Sequence, residues 1–139
     1  MALQAWSPLD KGALAGRTRA DNPARRMDPV FKTVAGDRVL QETLARVAER
    51  LGTSRAVVAL AWLVAKGAFP LVGARRRSHA ESAAEAARLD LPGWAVGELD
   101  RASGRYRSLW GRCCSELSWS RVLPGLLQAL VFKYILRGI

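Results

Sequence analysis

Apolar positions along this chain change period several times, and each change marks an element. Leu3 to Trp6 is a short run with the character of a buried strand, stopped by Pro8, which removes a ladder donor and turns the chain. Gly12 to Pro29 has no apolar period and holds Gly12, Gly16, Pro23 and Pro29 among Arg17, Arg19, Arg25 and Arg26, so it reads as a basic loop. From Asp37 onward Leu40, Leu44, Val47, Ala48 and Leu51 form a helical stripe that ends at Gly52. Ser54 is placed to cap a second helix, Arg55 to Lys66, apolar almost all round and therefore expected to pack on more than one side. Gly67 ends it before a buried strand, Phe69 to Val72. After a turn from Gly73 to Arg77, Ser78 and Glu81 have the spacing of a capping box for a helix running to about Ala87. A last helix, Trp94 to Ala102, follows Pro92-Gly93. Strand, helices, strand, helix is an α/β order with parallel strands.

A chain of 139 residues usually forms one domain and buries about 68% of its unfolded surface. The net charge of +10 raises phosphate, nucleic acid or an anionic membrane as partners. Half of that charge falls in residues 105–139, which weakens the nucleic-acid reading, and no nucleic acid is expected. Cys113 and Cys114 are the only cysteines, and adjacent thiols make neither a disulfide framework nor a metal-ligand set. Together with the absence of a signal-peptide pattern at the N-terminus, this points to an intracellular, cytoplasmic protein. Leu126 to Leu136 is broken by Gln128 and Lys133 and is too short for the roughly 20 residues of a transmembrane helix. Its positions Leu126, Leu127, Leu130, Val131, Tyr134 and Ile135 have amphipathic spacing. The tail is thus a surface helix, a cover for an open sheet edge, or sequence that adds nothing to the fold.

Two loops carry candidate chemistry. Arg75, Arg76 and Arg77 stand between a strand and a helix N-terminus, where amides, the macrodipole and guanidinium pairs all favour a phosphate. A plain solvated basic turn would have the same composition. Trp6 offers a π-face, although a core aromatic is the ordinary role for such a residue, and Ser7-Pro8 alone is only a turn. His79 is the single histidine and fits a first helical turn. No Gly-x-Gly-x-x-Gly is present, so a Rossmann site is not indicated.

The segments Ala5-Trp6-Ser7-Pro8-Leu9-Asp10-Lys11-Gly12-Ala13-Leu14-Ala15-Gly16-Arg17 and Phe69-Pro70-Leu71-Val72-Gly73-Ala74-Arg75 resemble the cofactor-binding end of an aldo-keto reductase, over about residues 2–102. The resemblance implies a partial (β/α)8 TIM barrel, its last two strands with their helices, in residues 1–104, followed by a helical or irregular tail in 105–139. It further implies NADP(H), with Trp6 stacked on the nicotinamide, Ser7, Leu9 and the backbone amides around Gly12 at the pyrophosphate, Arg17 bonding phosphate, and Pro8 and Leu14 among the cofactor-binding residues. Gly73, Ala74 and Arg75 match the family's Gly-x-Arg turn. Arg76 and Arg77 extend it towards a 2′-phosphate, with His79 nearby. Ser82 and Ala83 depart from the family's Glu-Asn pair at the adenine. The family's catalytic Asp, Tyr, Lys and His belong to earlier strands, and a chain starting at Met1 just before the seventh has no place for them. No catalytic residue is assigned, since Tyr106 and Tyr134 lack the family's context. A carbonyl substrate is expected only if the missing N-terminal part completes the barrel. The alternatives are a non-catalytic nucleotide-binding or interaction remnant, self-associating through open strand edges, and a basic module for an anionic membrane or nucleic acid.

Overall fold

Two parallel strands form the sheet of the computed structural model, which describes residues 3–17 and 28–116, with 105–116 as helical backbone alone. β1 (Leu3–Trp6) pairs with β2 (Ala68–Leu71) in a register that sets Leu3 against Ala68 and Trp6 against Leu71. β2 thus begins and ends one residue before the expected span. Strand side chains alternate between faces, and only one face is covered here. Ala5 and Ala68 are buried against Leu63, whereas Phe69, Trp6 and Leu71 are 64%, 57% and 48% exposed. This corrects the expectation that Leu3 to Trp6 and Phe69 to Val72 form buried strands: one face of each is exposed. The sheet is the partial α/β arrangement expected, and both outer edges of the pair lack a neighbouring strand among the described residues.

Helix α1 (Pro29–Gly36) lies just beyond the segment read as loop. Asp28 explains it: its carboxylate accepts from the amides of Val30 and Phe31, Pro29 occupies the first turn, and Phe31 and Val34 share a buried face. Residues 18–27, with Arg19, Pro23, Arg25 and Arg26, lie outside the described residues.

Helix α2 (Arg38–Leu51) starts where Asp37 accepts from the Leu40 amide at 3.2 Å. It ends in a Schellman turn: Gly52, at φ 66°, donates to Glu49, and Thr53 donates to Ala48. Ser54 caps α3 (Arg55–Ala65) by accepting from Val57, as its position predicts. α3 is the centre of the core, packing on β2, α2 and the two later helices. Val57, Val58, Leu60 and Ala61 are all at most 1% exposed.

Helix α4 (Arg77–Arg88) begins one residue before Ser78, and no side chain caps it. The expected capping box is therefore absent. Glu81 instead accepts from Arg77 Nε at 2.7 Å, an i,i+4 pair that takes the carboxylate away from the helix start. Helix α5 (Gly93–Glu116) extends well past the expected end at Ala102. Ala95, Leu99, Ala102 and Ser103 bury its face, and Asp100 accepts from Trp62 Nε1 and from Lys66, fixing α5 on α3. On the other side Glu98 pairs with Arg46 and Arg50, and Arg50 stacks over Trp94 at 4.4 Å. The amphipathic stretch of 117–139 lies outside the described residues. Among the described residues no helix is long and apolar enough to cross a membrane.

Candidate functional site

Parallel strands deliver their following loops to the same end of a sheet, so the segments after β1 and β2 are neighbours. The first is a tight coil. Asp10 donates to the Ser7 carbonyl at 2.8 Å, Gly12 to Leu9 at 2.9 Å, Ala13 to Asp10 at 3.0 Å and Gly16 to Ala13 at 3.0 Å. Such winding puts Ser7, Asp10 and Lys11 at φ 52°, 43° and 56°, a left-handed backbone that costs on the order of 1 kcal/mol or more for each non-glycine residue. The surroundings hold it in place. Gln41 on α2 donates to the Ala13 carbonyl and to Val34, both at 3.0 Å, and Lys11 pairs with Asp28 at the start of α1.

Asp10 is only 4% exposed, and its Oδ2 has no hydrogen-bond partner. Burial raises its carboxyl above the ordinary aspartate range, partly opposed by the Lys11 ammonium.

Between the two loops is a cleft of about 600 Å³. Ten of the thirteen residues singled out from the sequence line it: Trp6, Ser7, Pro8, Leu9, Gly12 and Arg17 from the first loop, and Gly73, Arg75, Arg76 and His79 from the second. Leu14, Ala74 and Arg77 do not. Leu14 is 4% exposed and packs into the core, so it anchors the loop from behind. Arg77 faces away, paired with Glu81.

Sequence reading missed Lys11, Ala15, Ala56, Leu60, Leu71 and Val72 as lining residues, and gave no positive role to Ser82, which also lines the cleft. Ala56 and Leu60 are one turn apart on α3, as are His79 and Ser82 on α4, so i,i+3 and i,i+4 spacing from a known neighbour is the signal that finds them. Lys11, Arg17, Arg75 and Arg76 bring positive charge, and no carboxylate is among the described lining residues. An anionic, partly flat ligand suits this lining.

Gly12 is where the cleft wall is least tolerant. At φ 99°, an added Cβ would sit 2.8 Å from Arg17 Cδ. Gly12→Ala is expected to lose about 1–2 kcal/mol of stability and to lower Tm by several degrees. Gly97→Ala, in the interior of α5 with nothing within 4 Å, should instead gain up to about 1 kcal/mol. Thermal unfolding by circular dichroism reads both, and equal signs would contradict the loop geometry.

Residues 1–103 match the family model described as the Aldo/keto reductase family.

Proposed function

Since this chain belongs to the aldo/keto reductase family, we propose that its cleft is the dinucleotide-binding part of an oxidoreductase and takes NADP(H). The observation that carries this reading is the convergence of both loops on one cleft lined by Lys11, which is paired with Asp28, and by Arg17, Arg75 and Arg76, with no carboxylate among the described lining residues. A pyrophosphate suits the part of the cleft beside Arg17, whose side chain lies over Gly12 where a Cβ would displace it. The 2′-phosphate suits Arg75 and Arg76, which stand at the start of α4, where no side chain caps the first amides. Trp6, 57% exposed at the mouth of the cleft, presents a ring against which a nicotinamide can lie. His79 and Ser82 supply polar groups on the adenosine side, but Ser82 and Ala83, at the positions of the family's usual Glu-Asn pair, cannot reproduce those contacts.

When bound, the cofactor supplies a hydride for reduction of a carbonyl to an alcohol. The part of this chain is to bind and orient. No tyrosine is among the described lining residues, so this cleft wall does not supply the family's tyrosine as proton donor to the carbonyl oxygen. We read residues 1–104 as the last two β/α units of the family's barrel, with a carbonyl substrate meeting the cofactor once the other units are in place.

Calorimetric titration with NADPH and NADH is the test. NADPH is expected to bind about tenfold more tightly, the worth of one charge-assisted contact to the extra phosphate. Equal affinities would remove the proposed role of Arg75 and Arg76. Heatless titrations with both would remove the cleft assignment itself.

A further inference from the structure

Asp10 is the one ionisable side chain of the first loop that does not line the cleft, whereas Lys11 and Arg17 do. It is almost fully buried, its Oδ2 lacks a partner, and its backbone is part of the left-handed coil that shapes the cleft wall. We propose that Asp10 is a protonation latch for this loop: the neutral carboxyl keeps the coil closed against α1 and α2, and the ionised carboxylate loosens it.

The loop's own geometry makes the link. The Asp10 amide and carbonyl close the turns to Ser7 and Ala13, so the route by which the side chain reaches water through a turn of its backbone loosens both bonds. Ser7, Leu9, Lys11 and Gly12, on either side of it, line the cleft. Ionisation of one buried side chain would therefore be read out as a change in cleft shape.

Charged neighbours do not remove the penalty. Lys11 is adjacent and favours the anion, but its ammonium is already engaged by Asp28 at the start of α1. Further along α1 is Lys32, and Asp37 between α1 and α2 bonds the Leu40 amide. Arg17 lies over Gly12, and Arg55, at the start of α3, lies against Gly16. Burial outweighs Lys11, and the carboxyl is harder to ionise in the closed loop than in the open one.

The direction in pH follows from linkage. A group whose folded pKa is raised favours the closed form fully below its unfolded pKa, and that contribution is lost as pH rises through the folded value. Between the two values the loop-opening constant should rise by about tenfold for each pH unit. This holds whatever anion the cleft accepts, so it stands or falls separately from the NADP(H) reading.

The experiment is amide hydrogen exchange by NMR on the full chain between pH 4 and 8, expressed as protection factors so that intrinsic exchange rates cancel. The amides of Ala13 and Gly16 report the loop, and Val58, bonded to Ser54 in α3, reports global opening. Protection at Ala13 and Gly16 is expected to fall with pH while Val58 stays constant, and Asp10→Asn, which cannot ionise, should give flat profiles at all three. Carboxyl 13C shifts of the unaltered chain give a readout that needs no variant: Asp10 should titrate above the ordinary aspartate value. An Asp10 carboxyl titrating at or below that value overturns the latch. So does loop protection that is flat in the unaltered chain, or that falls equally in Asp10→Asn.

Discussion

Leu44→Ala is expected to cost about 2–5 kcal/mol, a large share of the roughly 5–15 kcal/mol that holds a domain of this kind folded. Leu44 is 1% exposed on the inner face of α2, in the same apolar cluster as Val47, Leu60 and Leu99. Removing three of its carbons leaves a void, because α2 is fixed at both ends by the Asp37 cap and the Gly52 turn and cannot follow the loss inward. Urea unfolding monitored by far-UV circular dichroism should show the midpoint falling by about 1 M or more at an unchanged slope. Val39→Ala on the same helix is the control. At 49% exposure it should change stability by less than about 0.5 kcal/mol. Comparable losses from both substitutions would mean that the stripe beginning at Leu40 does not face the core.

That stripe is also why α2 is legible in the sequence, with a polar cap before it, five apolar positions at helical spacing and a glycine after it. α3 is equally plain for the opposite reason, since a helix between Ser54 and Gly67 with apolar residues all round can only be packed on several sides. The same uniformity hides which of its residues reach the cleft. Ala56 and Leu60 are indistinguishable from their neighbours until β1 and its loop are laid across them. α1 escapes because its signal, Asp28-Pro29 before Val30 and Phe31, is short and lies at the edge of a stretch dominated by glycine, proline and arginine. Ser78 and Glu81 show the converse failure. A capping box is a local preference worth about 1 kcal/mol, and a start one residue earlier, with Arg77 drawing Glu81 into an ion pair, replaces it.

At the site, ten lining residues follow from two loops that resemble a known pattern, and the run of arginines supports them on chemical grounds. Leu14 cannot be separated from its neighbours this way, because loop residues on the inner and outer sides of a tight coil have no fixed period. Asp10 is concealed further still. In a Ser-Pro-Leu-Asp-Lys run an aspartate reads as a solvated turn residue, and only the left-handed positions Ser7, Asp10, Lys11 and Gly12 carry it inward.

Removing both cleft guanidiniums at the start of α4 should have the largest effect on ligand binding. Arg75 and Arg76 are exposed, so in the free protein they add little to stability, and Arg75→Ala/Arg76→Ala should fold with a Tm close to that of the unaltered chain. Against a phosphate the balance differs, because paired guanidinium contacts are charge-assisted and the first amides of α4 face the same charge. Losing them is expected to weaken NADPH about tenfold, towards the affinity of NADH, while changing NADH by less than about threefold. Net charge alone must be separated from this contact. Arg101→Ala removes one positive charge from α5, where the guanidinium bonds the Gly97 carbonyl one turn back. It should leave NADPH affinity nearly unchanged at 0.15 M salt, where the Debye length is about 8 Å. Calorimetric titrations of the three proteins with both nucleotides read the difference directly. Equal weakening of NADPH and NADH in the double variant would move the two arginines from the 2′-phosphate to the shared pyrophosphate, and an effect of similar size in Arg101→Ala would reduce their role to bulk attraction.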